Sequence, residues 1–134
     1  MAVATFTVAC SVVFTPPGAN VNSGQSSFPS QGTYGAQCSG NIDVPSGTVL
    51  GTSYSIPFGS VAAAKLLIVK NMMSSDIAVR LNGAVTDTFR IAAGGEFMYA
   101  SPATPSGTPL ASALFMTTAS PTADEQVLFV TLGD

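Results

Sequence analysis

Lys65–Gly83, KLLIVKNMMSSDIAVRLNG, reads as two β-strands joined by a short turn. Lys65–Asn71 is aliphatic on both parities, the pattern of a strand covered on both faces. Asp76–Asn82 alternates instead. Ile77, Val79 and Leu81 share one parity, and Asp76, Ala78, Arg80 and Asn82 share the other, as in a strand with one face in a core and one in water. Met72–Ser75 supplies the loop between them, and Asn82-Gly83 signals the next reversal.

The same pattern extends outward in both directions. Upstream, Gly51–Phe58 alternates Tyr54, Ile56 and Phe58 against Ser53, Ser55 and Pro57, and Pro57 makes it an edge strand or ends it. Gln37–Val44 is a short strand closed by Pro45-Ser46-Gly47, and Val3–Thr15 is a first strand ended by Pro16-Pro17-Gly18. Downstream, Thr86–Ala92 points Phe89 and Ile91 inward, Gly94-Gly95 reverses the chain, and Phe97 and Tyr99 share a face of the next strand. Leu110–Thr118 and Gln126–Leu132 are the last two strands. The final one is apolar on both parities and so belongs in the middle of a sheet. About nine short strands with frequent Gly, Pro, Asn and Ser turns predict a single-domain, all-β sandwich or small barrel, and a strand count near eight favours a jelly-roll sandwich. The expected core is Ile68, Ile77, Val79, Leu81, Phe89, Ile91, Phe97, Phe129 and Val130.

Ala19–Ala36, ANVNSGQSSFPSQGTYGA, departs from this pattern: it has no periodicity, and Phe28 and Tyr34 are its only bulky residues. A structureless loop of that length is uncommon inside a compact domain. It is read as a polar loop or arm that packs on something, with Phe28 and Tyr34 as its interaction anchors. The chain thus divides into an N-terminal strand and arm (1–36) and a sandwich core (37–134).

Composition bounds the function. Only 8% of the 134 residues are charged, against roughly 25% in an ordinary soluble domain, and the formal net charge is −3. Such a surface is poorly protected against association. It suits either a neutral, Ser/Thr-covered domain or a subunit normally covered by others; the second reading is favoured. Four cations against seven acids, with no basic cluster, argue against nucleic acid. Mean hydropathy is +0.43, yet no segment approaches the ~18–20 apolar residues of a membrane helix. The opening apolar run has no Lys or Arg before it, the first cation being Lys65, so no secretory signal is expected. In a leaderless chain, Cys10 and Cys38 are expected as free thiols.

Catalytic chemistry finds no foothold. The chain has no His, and neither Lys65 nor Lys70 lies in a Ser-x-x-Lys arrangement. Asp124-Glu125 precedes a strand and reads as a solvated cap, because adjacent strand residues point to opposite faces. Gly94-Gly95-Glu96 lacks the spacing and the Lys of a phosphate loop. Asp43, Asp76 and Asp87 have no ligand-dense loop around them, so no metal site is expected, and no cofactor. The protein is expected not to be an enzyme.

LLIVKN (66–71), DIAVRLNG (76–83), FRIAAGGEFMYA (89–100) and VLFVTLGD (127–134) together resemble small β-sandwich virion proteins of tailed bacteriophages, in particular head decoration or cement proteins. The resemblance covers Ile56–Asp134. It implies a non-enzymatic protein made in the host cytoplasm and located on the capsid surface. There it would bind the major capsid protein and copies of itself, as a trimer in preference to a dimer. A receptor- or glycan-binding sandwich on a head fibre or tail, or another head or tail accessory subunit, is the alternative. Few charges fit the first reading, because they limit the desolvation cost of burying large areas.

Overall fold

The structure is a computed structural model; it describes residues 4–14, 24–101, 103 and 105–134, with the backbone alone for 10–14 and 24–30. Among these residues lie ten strands: β1 (Ala4–Phe14), β2 (Gly24–Tyr34), β3 (Ala36–Val44), β4 (Ser53–Ile56), β5 (Ala64–Asn71), β6 (Ile77–Leu81), β7 (Phe89–Ile91), β8 (Glu96–Ala100), β9 (Ala113–Thr117) and β10 (Glu125–Gly133). The turn at Pro16-Pro17-Gly18, the start of the polar excursion (19–23), and Pro102 and Thr104 of the second Pro/Ser loop fall outside the described residues.

β3–β10 form the sandwich. The first sheet runs β3-β10-β5-β8 and the second β4-β9-β6-β7. Strand pairs nest from the outside in: β3 with β10, β4 with β9, β5 with β8 and β6 with β7, all antiparallel. The body is thus one long hairpin rolled on itself, and rolling adds the β10–β5 and β6–β9 ladders. That is jelly-roll topology. It explains why the C-terminal strand is central: β10 closes against the outermost strand β3 and, once rolled, also against β5. β4, which runs into Pro57, is an edge strand as expected.

The core lies between the sheets. Leu67, Val69, Val127 and Phe129 face Ile56, Ile77, Val79, Ile91 and Phe115, all buried. Tyr54 and Phe115, cross-strand partners, stack with centroids 5.2 Å apart. Phe89 of the second sheet meets Phe97 of the first at 4.4 Å. Of the expected core, Ile77, Val79, Ile91 and Phe129 are buried, and Leu81, Phe89 and Phe97 pack against it half-buried.

Ile68 and Val130 are corrections. Both lie on the outer face of the first sheet, opposite in parity to Leu67, Val69 and Phe129, and both are only half-buried. An aliphatic run apolar on both parities does not say which parity is inside. Truncating a half-exposed side chain removes little apolar area from shelter, so Ile68→Ala is expected to cost about 1 kcal/mol, not the 2–5 of a core site. Denaturant midpoints in dilute solution check this.

The polar excursion is the second correction. Gly24–Tyr34 is a strand, antiparallel to β1 through eleven registered pairs from Ala4↔Tyr34 to Phe14↔Gly24. Its Ser, Gln and Gly are poor strand formers, so the pairing comes from β1, whose Val, Phe and Thr favour extended backbone.

Candidate interaction surface

The β1–β2 ribbon is a sheet of its own, and neither strand joins the ladder of either body sheet. Its base is tied down. Only Gly35 separates β2 from β3, and its amide donates to Gly133 O at 2.9 Å. Lys65 Nζ, nearly buried, donates to Thr33 O at 3.0 Å and is ion-paired with Asp134 at 2.8 Å. Phe6, 7% exposed, packs on Tyr34 with centroids 6.4 Å apart. Beyond the base, eleven-residue strands reach about 36 Å at the usual rise of a strand.

Strand alternation gives the ribbon two unlike faces. Ala4, Phe6, Val8, Cys10, Val12 and Phe14 share one parity, and the register sets Tyr34 opposite Ala4 and Phe28 opposite Cys10 on that same face. The other face, mostly polar, pairs Thr5 with Thr33, Thr7 with Gln31, Ala9 with Pro29, Ser11 with Ser27 and Val13 with Gln25. The burial follows where side chains are described: Phe6 is buried and Val8 half-buried, while Thr5, Thr7 and Ala9 are exposed. No residue before Asp43 carries a charge, so the ribbon carries none. The two expected anchors, Phe28 and Tyr34, thus share the ribbon's apolar face, six residues apart; Phe28 falls where the backbone alone is described.

The outer face of the first sheet is the second unusual surface. Cross-strand register lines up Leu132, Leu66 and Ala100, and next to them Val130, Ile68 and Met98. Leu66 is buried, Ile68, Val130 and Leu132 are half-buried, and Met98 is 38% exposed. Lys70 and Glu96 sit one row farther from the ribbon, and the Lys65–Asp134 pair lies at the near end, at the ribbon base. The second sheet's outer face differs: Arg80 and Arg90 are both bridged there by Asp87, at 3.2 and 3.5 Å.

The remaining polar groups serve the loops. Asp124 Oδ1 accepts from Ser46 N and Glu125 Oε1 from Ser74 N, so each of the paired carboxylates holds a loop amide. Among the described residues no three His, Cys, Asp or Glu side chains converge to hold a metal ion. Cys38 is a free thiol. Tyr54 and Tyr99 pack against the core and Tyr34 against Phe6, so the three tyrosines form no common platform.

The geometry therefore defines a jelly-roll sandwich carrying an uncharged, two-faced β-ribbon. Compared with known proteins, the chain matches no family model, no curated protein and no solved structure.

Sequence reading missed the ribbon because β2 has no strand signal of its own. The apolar parity of β1 was present in the alternation from Ala4 to Phe14, and it was the available clue.

Proposed function

We propose that this protein is a non-enzymatic structural subunit of a phage particle that binds and stabilises the assembled capsid, working as a homo-oligomer, a trimer in preference to a dimer. The observation that carries this reading is the ribbon. A two-stranded hairpin is marginal alone in water, and this one has neither a charge nor a third strand to support it. Natural proteins blunt open edges with charges or cover them. A long uncharged ribbon on a sandwich with a complete core of its own suits a protein whose surfaces are covered after assembly. The absence of His throughout the chain and the loop-holding role of Asp124 and Glu125 support a non-catalytic subunit. A glycan-binding role would draw on a shared aromatic platform, and the dispersed tyrosines lend it no support.

Co-sedimentation with empty capsids of its own phage tests the reading. The full chain is expected to pellet with the shells and to raise their resistance to heat. A Phe28→Ala/Tyr34→Ala variant, folded by circular dichroism, is expected to bind at least about tenfold more weakly, whether the ribbon meets the shell or an adjacent subunit on it, since a few large side chains carry most of an interface. A chain that stays in the supernatant at micromolar concentration overturns the proposal.

A further inference from the structure

We infer that the ribbon of one copy lies with its apolar face on the outer face of the first sheet of a second copy. β5 and β10 are apolar on both parities, yet the single chain covers their outer face incompletely: beside the buried Leu66, Ile68 and Val130 stay half-buried and Met98 exposed. The same chain carries, next to that face, a ribbon whose apolar parity runs its whole length without a charge. Each surface is what the other lacks. A partner of different chemistry would cover one and leave the other open, whereas a second copy covers both.

Face docking is favoured over edge pairing along β2, because Pro29 stands in the middle of that strand and has no N–H to donate. The sizes agree. The ribbon face measures about 36 Å by 10 Å, and the sheet's four strands span about 19 Å. Docking would bury on the order of 650 Å² over both partners, less than the ~1,000 Å² a stable interface needs. A copy that gives one ribbon and receives another is held by two such contacts, so the assembly rests on both together and not on either alone. The contact joins unlike surfaces, so it runs head to tail and gives a ring where the rotation between copies closes and a filament where it does not. This inference needs no capsid and stands whether or not the protein binds one.

Sedimentation of the full chain at micromolar concentration, without capsids, provides the test. The parent is expected to associate. Met98→Glu on the sheet and Val8→Glu on the ribbon are each expected to weaken association at least about tenfold, while Met116→Glu, on the outer face of the second sheet, leaves it unchanged. Unfolding curves establish that each variant is folded. A cross-link makes the result independent of those substitutions. A copy with Cys10 as its sole cysteine (Cys38→Ser) is mixed with one carrying Met98→Cys in a Cys10→Ser/Cys38→Ser background, and oxidised in air. A disulfide between the two different copies is expected, with none when Met116→Cys replaces Met98→Cys. A monomeric parent, association indifferent to both Glu variants, or equal cross-linking at the two cysteine positions overturns the inference.

Discussion

Gly133→Ala is expected to abolish stable folding or to cost at least about 4 kcal/mol, the upper end of a core truncation or beyond it. Gly133 ends β10 at a register shift, where the ladder passes from Leu132↔Leu66 to Gly133↔Ala64. A Cβ there would be driven into the Ala63 carbonyl oxygen, and would stand only 2.9 Å from Ala63 C and Val61 Cγ1. The obstruction is mainly backbone, which cannot rotate away like the end of a long side chain. Ala63 is also fixed by its neighbours: its O accepts from Asp134 N at 3.2 Å, while its N and that of Ala62 donate to Asp134 O. Moving it breaks those bonds and disturbs the ribbon base, since Gly133 O accepts from Gly35 N. Overpacking usually costs about 1–3 kcal/mol where side chains can give way; here none of the relief is local. Chemical denaturation of the variant beside the parent measures the loss. Parent-like stability would mean that the Val61–Ala63 crossing is much looser than its hydrogen bonds imply.

Asn71→Leu is expected to lose about 3–5 kcal/mol although it places a larger apolar group in the interior. Asn71 is fully buried at the end of β5. Its two Nδ2 hydrogens are shared among Ser75 O at 2.8 Å, Ala92 O at 3.0 Å and Ile91 O at 3.1 Å, and its Oδ1 accepts from Met73 N at 3.0 Å. Its own amide donates to Gly95 O at 2.9 Å. One side chain therefore ties the β5–β6 loop to the β7–β8 turn, two of the four crossings between the sheets at this end of the sandwich. It also holds in place the loop that buries Met73. Leucine would remove the side-chain donor from the buried Ile91 O and the acceptor from the buried Met73 amide, each costing about 1–3 kcal/mol, and would free Ser75 O as well, while Ala92 O keeps the Gly95 amide. An account based on apolar burial alone expects leucine to be neutral or stabilising, so the sign of the change decides between them. Hydrogen exchange at the Met73 and Gly95 amides is expected to accelerate in the variant before the rest of the sandwich is affected.

Asn71 also shows where sequence reading stops. It ends an aliphatic run and precedes Met72-Met73-Ser74-Ser75, so it reads as the polar close of a strand and Met73 as part of an exposed loop. That the loop turns inward, with Met73 buried, follows from acceptors about twenty residues away on the β7–β8 turn. Local pattern carries no record of partners that distant. The same limit applies to the candidate interaction surface. Phe28 and Tyr34 stood out as large groups in a polar stretch, but their common face depends on pairing with β1.

Alternation determined by itself that the chain is all-β and that Ile77, Val79 and Ile91 face inward, because one wet face leaves a period of two in the sequence. It also marked β10 as an inner strand, since a terminal strand apolar on both parities has no place at an edge. Tertiary structure alone decided which parity of β5 and β10 faces the second sheet, since both parities are apolar and either would satisfy the hydrophobic effect. It also decided that Gly24–Tyr34 is a strand. Its serines and glycines have little preference of their own, and pairing with β1 holds them extended.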